Sequence, residues 1–180
     1  MSPRLVSVNL GRVAIVYRGS TPVPTAFGKL PHEGPVRLGP GGLEGDEIGD
    51  RTVHGGPTKA VYAYPEEHYE YWTPRLAPGR TLPWGSFGEN LTVRGLSEAA
   101  LRPGDRLGIG TTVLVVTQPR SPCFKLGLHH HRPELVREFE EAARPGFYLG
   151  VERTGVLSSG DPILELGGGA GPTIERMFLD

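Results

Sequence analysis

One loop holds the residues best suited to chemistry. It contains the only cysteine of the chain, Cys123, and Arg120 and Lys125 lie on either side of it. Pro119 and Pro122 fix φ and remove two backbone donors, so they stiffen the segment that carries the thiol. Nearby positive charge favours the thiolate, which is the form that bonds metals and attacks electrophiles. We therefore interpret this loop as a candidate site for thiolate chemistry, with a buried structural cysteine as the alternative.

A second polar loop precedes a run that alternates like a strand. Arg51, His54 and Lys59 lie among glycines that would let the backbone approach a ligand closely. These side chains could bind a phosphate or a carboxylate through charge-assisted hydrogen bonds. The alternative is a polar surface turn whose aspartates bond the local backbone. A zinc site at His54 is disfavoured because no partner lies at zinc-site spacing.

Two further polar segments leave alternatives open. Glu89 and Asn90 follow Gly88 in a turn, where their side chains either orient a ligand or another loop, or cap backbone groups. The three consecutive histidines 129–131 suggest a metal site, but adjacent residues point in different directions on a helix or a strand. We therefore expect the histidines in a solvent-exposed loop.

Lysine is rare in this chain. Arginine supplies most of the positive charge, and lysine occurs only at Lys29, Lys59 and Lys125. Codon bias would account for the scarcity. Two of the three lysines, Lys59 and Lys125, nevertheless fall within the loops described above.

Short strands should position these loops. The β-branched and apolar run 111–117 predicts a buried strand that delivers the Cys123 loop. Pro65, followed by two glutamates, predicts a short helix from Pro65 to about Leu76, and Pro133 predicts a second helix over 134–143. The 27 glycines and 18 prolines indicate many turns, which suits short strands better than a helical bundle.

Length and charge limit the class of protein. At 180 residues the chain can form one domain without disulfides. The net charge of −1, with both signs interspersed, argues against a nucleic-acid binder or a membrane-surface protein. No window approaches about 18 apolar residues, and the N-terminus lacks the apolar core of a signal peptide, so we expect a cytoplasmic protein. We expect the domain over residues 1–166, followed by a Gly-rich linker and a short tail over 167–180.

Several of these segments occur together in one known family. The chain resembles the MOSC family, named for the C-terminal domain of molybdenum cofactor sulfurase, and within it the bacterial YiiM-like proteins. Each segment is a weak signal alone, but together they follow the family's order across about residues 5–166. The matching segments are Gly45–Asp46, His54–Gly56, Lys59–Tyr62, Phe87–Leu91, Gly104–Asp105, Gln118–Leu126 and Gly146–Leu149.

The resemblance implies a mainly β fold, a MOSC-type β-barrel with a few short peripheral helices. It also implies a pocket for molybdenum cofactor (molybdopterin), in which Cys123 is the molybdenum ligand and the catalytic residue. A thiolate is a soft ligand suited to a metal already held by the sulfur pair of its pterin. Pyridoxal phosphate is not expected. By the same resemblance, the residues that would bind the cofactor besides Cys123 are His54, Lys59, Asn90, Arg120 and Lys125.

The family further implies an enzyme that reduces N-hydroxylated compounds, such as hydroxylamino purines or amidoximes. The sequence shows no flavin, haem or iron–sulfur motif, so the electrons would come from a separate protein, a flavin-containing or other reductase. Two alternatives remain open. The first is a carrier that binds molybdenum cofactor, or a sulfur atom on Cys123, without turnover. The second is a barrel whose thiol binds no metal.

Overall fold

The computed structural model describes residues 2–49 and 55–180 and is mainly β. The strands are β1 (Arg4–Gly11), β2 (Ala14–Arg18), β3 (Thr21–Thr25), β4 (Lys29–Pro31), β5 (Val36–Gly39), β6 (Gly42–Leu43), β7 (Val61–Pro65), β8 (Leu91–Arg94), β9 (Arg106–Ile109), β10 (Thr112–Pro119), β11 (Phe147–Arg153), β12 (Gly155–Leu157) and β13 (Ile163–Gly167). The helices are α1 (Glu67–Leu76), α2 (Phe124–His129), α3 (Leu135–Glu141) and α4 (Ile174–Leu179). The strands outnumber the helices, as the glycine and proline content predicts.

One large curled sheet forms the body of the molecule. Its eight strands follow the order β13-β9-β10-β11-β7-β8-β1-β4, and the pairs are antiparallel except β7 with β8. Backbone hydrogen bonds join the start of β1 to the start of β13. The amide of Leu5 donates to the carbonyl of Asp161 at 2.9 Å, and the amide of Ile163 donates to Pro3 at 2.9 Å. The prediction of a β-barrel with short peripheral helices is confirmed.

The interior of the barrel is a continuous aliphatic core. Alternate residues of the strands point inward, and all strands except β2, β3 and β4 contribute buried apolar side chains to one cluster. Leu5, Leu38, Leu91 and Leu114 are fully buried there. Burial of this kind supplies the main favourable free energy of folding, because apolar area is removed from water.

A second core is aromatic and lies where α1 and α3 cover the sheet. Trp72 of α1 stacks on Phe139 of α3 at 5.6 Å between ring centroids, with the planes 11° apart. The indole Nε1–H of Trp72 donates to the hydroxyl of Tyr64 at 2.9 Å, so its polar atom is satisfied inside the core. Phe87 packs against the same group of rings. This core fixes the segment around Phe87 beside the barrel.

The predicted helices differ from the observed ones at their boundaries. Helix α1 begins at Glu67 rather than Pro65, because Pro65 is the last residue of β7 and pairs with Val93. Helix α3 is shorter than predicted and covers Leu135–Glu141. Beyond residue 167, where the sequence predicts a linker and a tail, α4 buries Ile174 in the aliphatic core.

The helices of the described residues do not combine the length and the hydrophobicity that a membrane-spanning helix requires.

Leu114 provides a test of the aliphatic core. The substitution Leu114→Ala removes a fully buried side chain from β10. We expect it to lower the free energy of unfolding by about 2–5 kcal/mol, because apolar burial is lost and a cavity remains. Urea unfolding monitored by circular dichroism measures the change.

The matched control is Leu164→Ala in β13, where the side chain is 60% exposed. That substitution should change the unfolding free energy by less than about 0.5 kcal/mol. Equal losses in the two variants would contradict the assignment of Leu114 to the core.

Candidate functional site

The predicted chemical residues meet at one cleft. Its empty volume, including the open mouth, is about 640 Å³. Five of the six predicted site residues line it: Lys59, Asn90, Arg120, Cys123 and Lys125. The sixth, His54, lies outside the residues that the structure describes, as does Arg51. The roles of all six stay predictions.

Cys123 reaches the cleft from the end of β10. This strand covers the run predicted from its apolar residues and ends at Pro119, so Pro119 and Pro122 lie between the sheet and the thiol. Cys123 is half-buried and extended, with φ −129° and ψ 167°, and it immediately precedes α2. Its carbonyl accepts from the amide of Leu126 at 2.9 Å. This hydrogen bond fixes the backbone at Cys123, and the partly exposed side chain lines the cleft.

A register shift next to this loop ties three cleft segments together. The pairing of β10 with β11 is irregular between Val116 and Gln118. The hydroxyl of Thr117 lies 2.6 Å from the carbonyl oxygen of Thr58 and 3.0 Å from that of Tyr148. Bulges are common beside active sites because they redirect side chains. Here the irregularity joins the exit of β10 to the segment before Lys59 and to β11.

Arg120 is a buried cation at the wall of the cleft. The residue is 8% exposed. Its guanidinium carbon lies 4.3 Å from the ring centroid of Tyr62 and 5.2 Å from that of Phe27, and Nη1 donates to the carbonyl of Phe87 at 2.6 Å. Among the described residues, no carboxylate forms a salt bridge with it. Aromatic rings and a carbonyl therefore hold its position, and its charge can act on a bound anion.

Two lysines add positive charge to the cleft. Lys125 is buried, and its ammonium donates to the carbonyl of Pro24 at 3.2 Å. The ammonium of Lys59 lies 5.8 Å from the ring centroid of Tyr148. The structure thus brings both predicted lysines to the cavity that contains Cys123.

The sequence interpretation missed an ion pair at the same cleft. The ammonium of Lys29 lies 2.5 Å from Oδ1 of Asp46, and their side chains are 8% and 11% exposed. Asp46 Oδ1 also accepts from the amide of Gly11 at 2.7 Å, and Oδ2 accepts from Asn90 Nδ2 at 2.8 Å. Asp46 therefore bonds groups distant in sequence, not the local backbone of a surface turn. The rarity of lysine was the one sequence signal that could have pointed to Lys29.

The alternatives left open at Glu89 and Asn90 resolve differently. Asn90 lines the cleft, where its Nδ2 donates to Asp46 and its Oδ1 accepts from the amide of Tyr62 at 3.1 Å, so it orients another loop and also bonds the backbone. Glu89 is fully buried and accepts hydrogen bonds from the amides of Gly85 and Phe87 at 2.8 and 3.1 Å, and from the hydroxyls of Tyr69 and Thr92. Burial raises the pKa of Glu89, and the hydrogen bonds act in the opposite direction. Its carboxylate organises the turn instead of facing a ligand.

The three histidines lie at the end of α2 and do not form the simple exposed loop that was expected. His129 and His131 are exposed, but the ring of His129 lies 5.1 Å from that of Phe27. His130 is half-buried, and its Nε2 lies 2.8 Å from the carbonyl oxygen of Ser86. Among the described residues, no group of three or more His, Cys, Asp and Glu side chains is arranged to hold a metal ion.

The geometry defines a β-barrel protein with a cation-lined cleft and one thiol, and the sequence comparison identifies its family. The MOSC domain profile matches residues 50–164. The chain belongs to the MOSC domain family. The Escherichia coli (strain K12) protein YiiM is 35% identical over 161 residues, which cover 88% of this chain and 70% of that protein.

Two further comparisons extend the similarity. A protein of Gibberella moniliformis (strain M3125 / FGSC 7600) named "Reductase" is 34% identical over 161 residues, covering 88% of this chain but 28% of that protein. The crystal structure of YiiM from Geobacillus stearothermophilus superimposes with a TM-score of 0.79 at 33% identity, covering 98% of this chain and 82% of that one. This chain is therefore a YiiM-like MOSC protein in both sequence and fold.

Glu89 provides a test of how the cleft is built. In Glu89→Gln, an amide NH₂ would face donors that now meet a carboxylate oxygen. We expect a loss of about 1–3 kcal/mol in the free energy of unfolding, because a buried donor is left without an acceptor. Urea unfolding at neutral pH measures it.

The control is Glu70→Gln in α1, where the side chain is exposed. It should lie within about 0.5 kcal/mol of the parent protein. A Glu89→Gln protein as stable as the Glu70→Gln protein would show that the turn does not depend on the carboxylate.

Proposed function

We propose that this protein binds molybdenum cofactor in the cleft through Cys123 and reduces N-hydroxylated compounds. The observation that carries the proposal is the meeting of the only cysteine with four cationic side chains in one cavity of a MOSC domain. Those side chains belong to Lys29, Lys59, Arg120 and Lys125. A soft thiolate suits molybdenum, and the cations suit an anionic cofactor that carries a phosphate.

The donor set of the cleft fits such a cofactor. The half-buried position of Cys123 leaves its sulfur able to reach a metal from the cavity. Arg120 is already fixed between two rings, so little side-chain entropy would be lost when it contacts a phosphate or another anion. Lys59 and Lys125 would neutralise further negative charge. Asn90, which donates to Asp46 and accepts from the Tyr62 amide, would contribute by holding that carboxylate at the wall of the cofactor site. When bound, the cofactor supplies the two-electron chemistry that removes oxygen from the substrate.

The aromatic side chains of the cleft suggest the shape of the substrate. Phe27, Tyr62 and Tyr148 all line the cavity. Flat, partly apolar molecules pack well on such rings, since offset and edge contacts add to the burial of area. Hydroxylamino purines and amidoximes combine a planar body with an N–OH group. The protein would hold that group beside the cofactor.

Electrons would come from a separate protein. The sequence carries no flavin, haem or iron–sulfur motif, so we propose a flavin-containing or other reductase as partner. The Gibberella moniliformis relative, whose printed name is "Reductase", is compatible with redox chemistry on this domain. The partner itself is an expectation from the chemistry, because N–O reduction consumes two electrons per molecule.

The first test measures molybdenum and pterin in protein purified from a host that makes the cofactor. We expect molybdenum in equimolar amount with the chain and its loss in Cys123→Ser, because serine cannot offer a soft thiolate ligand. Elemental analysis and the fluorescence of the oxidised pterin provide the readouts. The matched control is Ser121→Ala, an exposed position in the same loop, which should retain both.

Cofactor-loaded protein is then assayed with 6-N-hydroxylaminopurine and a flavin reductase. Turnover that disappears in Cys123→Ser supports the reductase. Full cofactor without turnover would favour the carrier, and a folded parent protein without molybdenum or pterin would contradict the proposal.

A further inference from the structure

The three lysines of the chain share one location. Sixteen of the nineteen basic residues are arginines, yet Lys29, Lys59 and Lys125 all line the cleft. An ammonium can lose its proton when its environment disfavours the charge, whereas a guanidinium stays protonated at any physiological pH. Codon bias would scatter the few lysines over the molecule. Their convergence indicates a cleft in which a cation able to release a proton is useful.

Lys29 is the most constrained of the three. It lies on β4 opposite Gly11 of β1. A Cβ on Gly11 would lie 3.1 Å from Cγ of Lys29 and 2.5 Å from the carbonyl oxygen of Ala26. Only glycine at position 11 therefore provides room for the Lys29 side chain. On the other side, a Cβ on Gly85 would lie 2.4 Å from the carbonyl oxygen of Lys29. Both the backbone and the side chain of Lys29 are therefore fixed by close contacts.

The partner of Lys29 is fixed as well. Asp46 accepts from the Gly11 amide and from Asn90 in addition to the ammonium of Lys29. A carboxylate that is held by other donors keeps its place when the lysine changes its contacts or its charge. Lys125 instead donates to a backbone carbonyl, and Lys59 lies over the Tyr148 ring. Within the described residues, Lys29 alone of the three forms a lysine–carboxylate ion pair.

The surroundings disfavour the ammonium form of Lys29. The pKa of Lys29 is lowered from its ordinary value, chiefly by burial, and the charge of Arg120 acts in the same direction. Asp46 and Glu89 oppose this shift. These charged groups come from three separate segments: Asp46 from the turn after β6, Arg120 from the loop after β10, and Glu89 from the turn before β8. The net effect lowers the pKa of Lys29 toward the working pH, where a general acid is most effective.

We propose that Lys29, held by Asp46, donates a proton to the N–OH group of the substrate as the N–O bond breaks. This inference rests on the proposed function. The overall change is R–NHOH + 2e⁻ + 2H⁺ → R–NH₂ + H₂O, in which nitrogen is reduced and the oxygen leaves as water. The electrons come from the separate reductase. Lys29 supplies one of the two protons and regains it from water through the open mouth of the cleft, and solvent supplies the other.

The proton state of Lys29 is tested first without cofactor or substrate. Protein labelled with [¹³C]lysine should give three Cε signals, which Lys29→Arg, Lys59→Arg and Lys125→Arg assign one by one. We expect Lys29 to titrate below an ordinary lysine, because burial disfavours its ammonium form. In Asp46→Asn it should titrate lower still, because the opposing carboxylate is gone. A Lys29 signal that titrates at or above the ordinary lysine value would overturn the inference.

Kinetics then separates proton donation from charge alone. Cofactor-loaded protein is reduced chemically, mixed with 6-N-hydroxylaminopurine and followed through a single turnover. Lys29→Met should slow N–O cleavage, expressed per bound molybdenum, by about 10²–10⁴-fold, as expected for loss of a general acid. Lys29→Arg should be nearly as slow, because it keeps the charge but holds its proton. In the parent protein the rate should fall as pH rises through the pKa of Lys29, and this decline should disappear in Lys29→Met.

The outcomes distinguish the two proposals. An active parent protein with an equally active Lys29→Met overturns the proton donor and leaves the proposed function intact. Lys29→Arg with the parent rate and pH profile shows that charge alone suffices, and it also overturns the donor. A loaded parent protein that cleaves no N–O bond overturns the reductase, and the role of Lys29 with it.

Discussion

The buried carboxylate of Glu89 is the constraint on which the cleft depends. It accepts hydrogen bonds from the amides of Gly85 and Phe87, and so it fixes the turn that contains both residues. The carbonyls of this turn point outward to other elements: Phe87 to Arg120, and Ser86 to His130 at the end of α2. Burying a carboxylate without hydrogen-bond donors costs much free energy, and so does burying those donors without an acceptor. The Glu89 carboxylate and the donors around it therefore stabilise each other.

The same turn also meets Lys29. The close approach of the Lys29 carbonyl to Gly85 allows no side chain there, and Gly85 has φ +89°, a conformation that favours glycine. One buried acid thus sets the position of a buried arginine and of the strand that carries a buried lysine. In the described part of the chain, four cations and two carboxylates, Asp46 and Glu47, line the cavity, so the formal charge of its lining is positive where an anion would bind. The fold stabilises this charge locally with rings, carbonyls and one aspartate.

The sequence predicted those parts of the site that lie on local patterns. The Cys123 loop stands out because a buried strand, two prolines and two cations occur within a short segment, and the structure brings Arg120, Cys123 and Lys125 to one cleft. Lys29 and Asp46 were missed because their pairing joins β4 to the turn after β6, and nothing local to either residue signals it. Pro65 was placed in a helix because its helix-start signal is real, but pairing with β8 extended the strand through it. In the last two cases, the ion pair and the start of the helix, contacts between residues distant in sequence determined the structure.

The topology explains why chemistry would be located where β10 ends. β10 lies between β9 and β11, so its first half is anchored on both sides. β9 pairs with it only as far as Val115, and beyond the register shift near Thr117 β10 pairs with β11 alone until it ends at Pro119. The Thr117 hydroxyl, within reach of the carbonyls of Thr58 and Tyr148, couples that exit to two other walls of the cleft. A rigid strand followed by a proline-stiffened loop can hold a thiol in place without burying it. A metal ligand needs this combination, because its sulfur must be both fixed in space and accessible from the cavity.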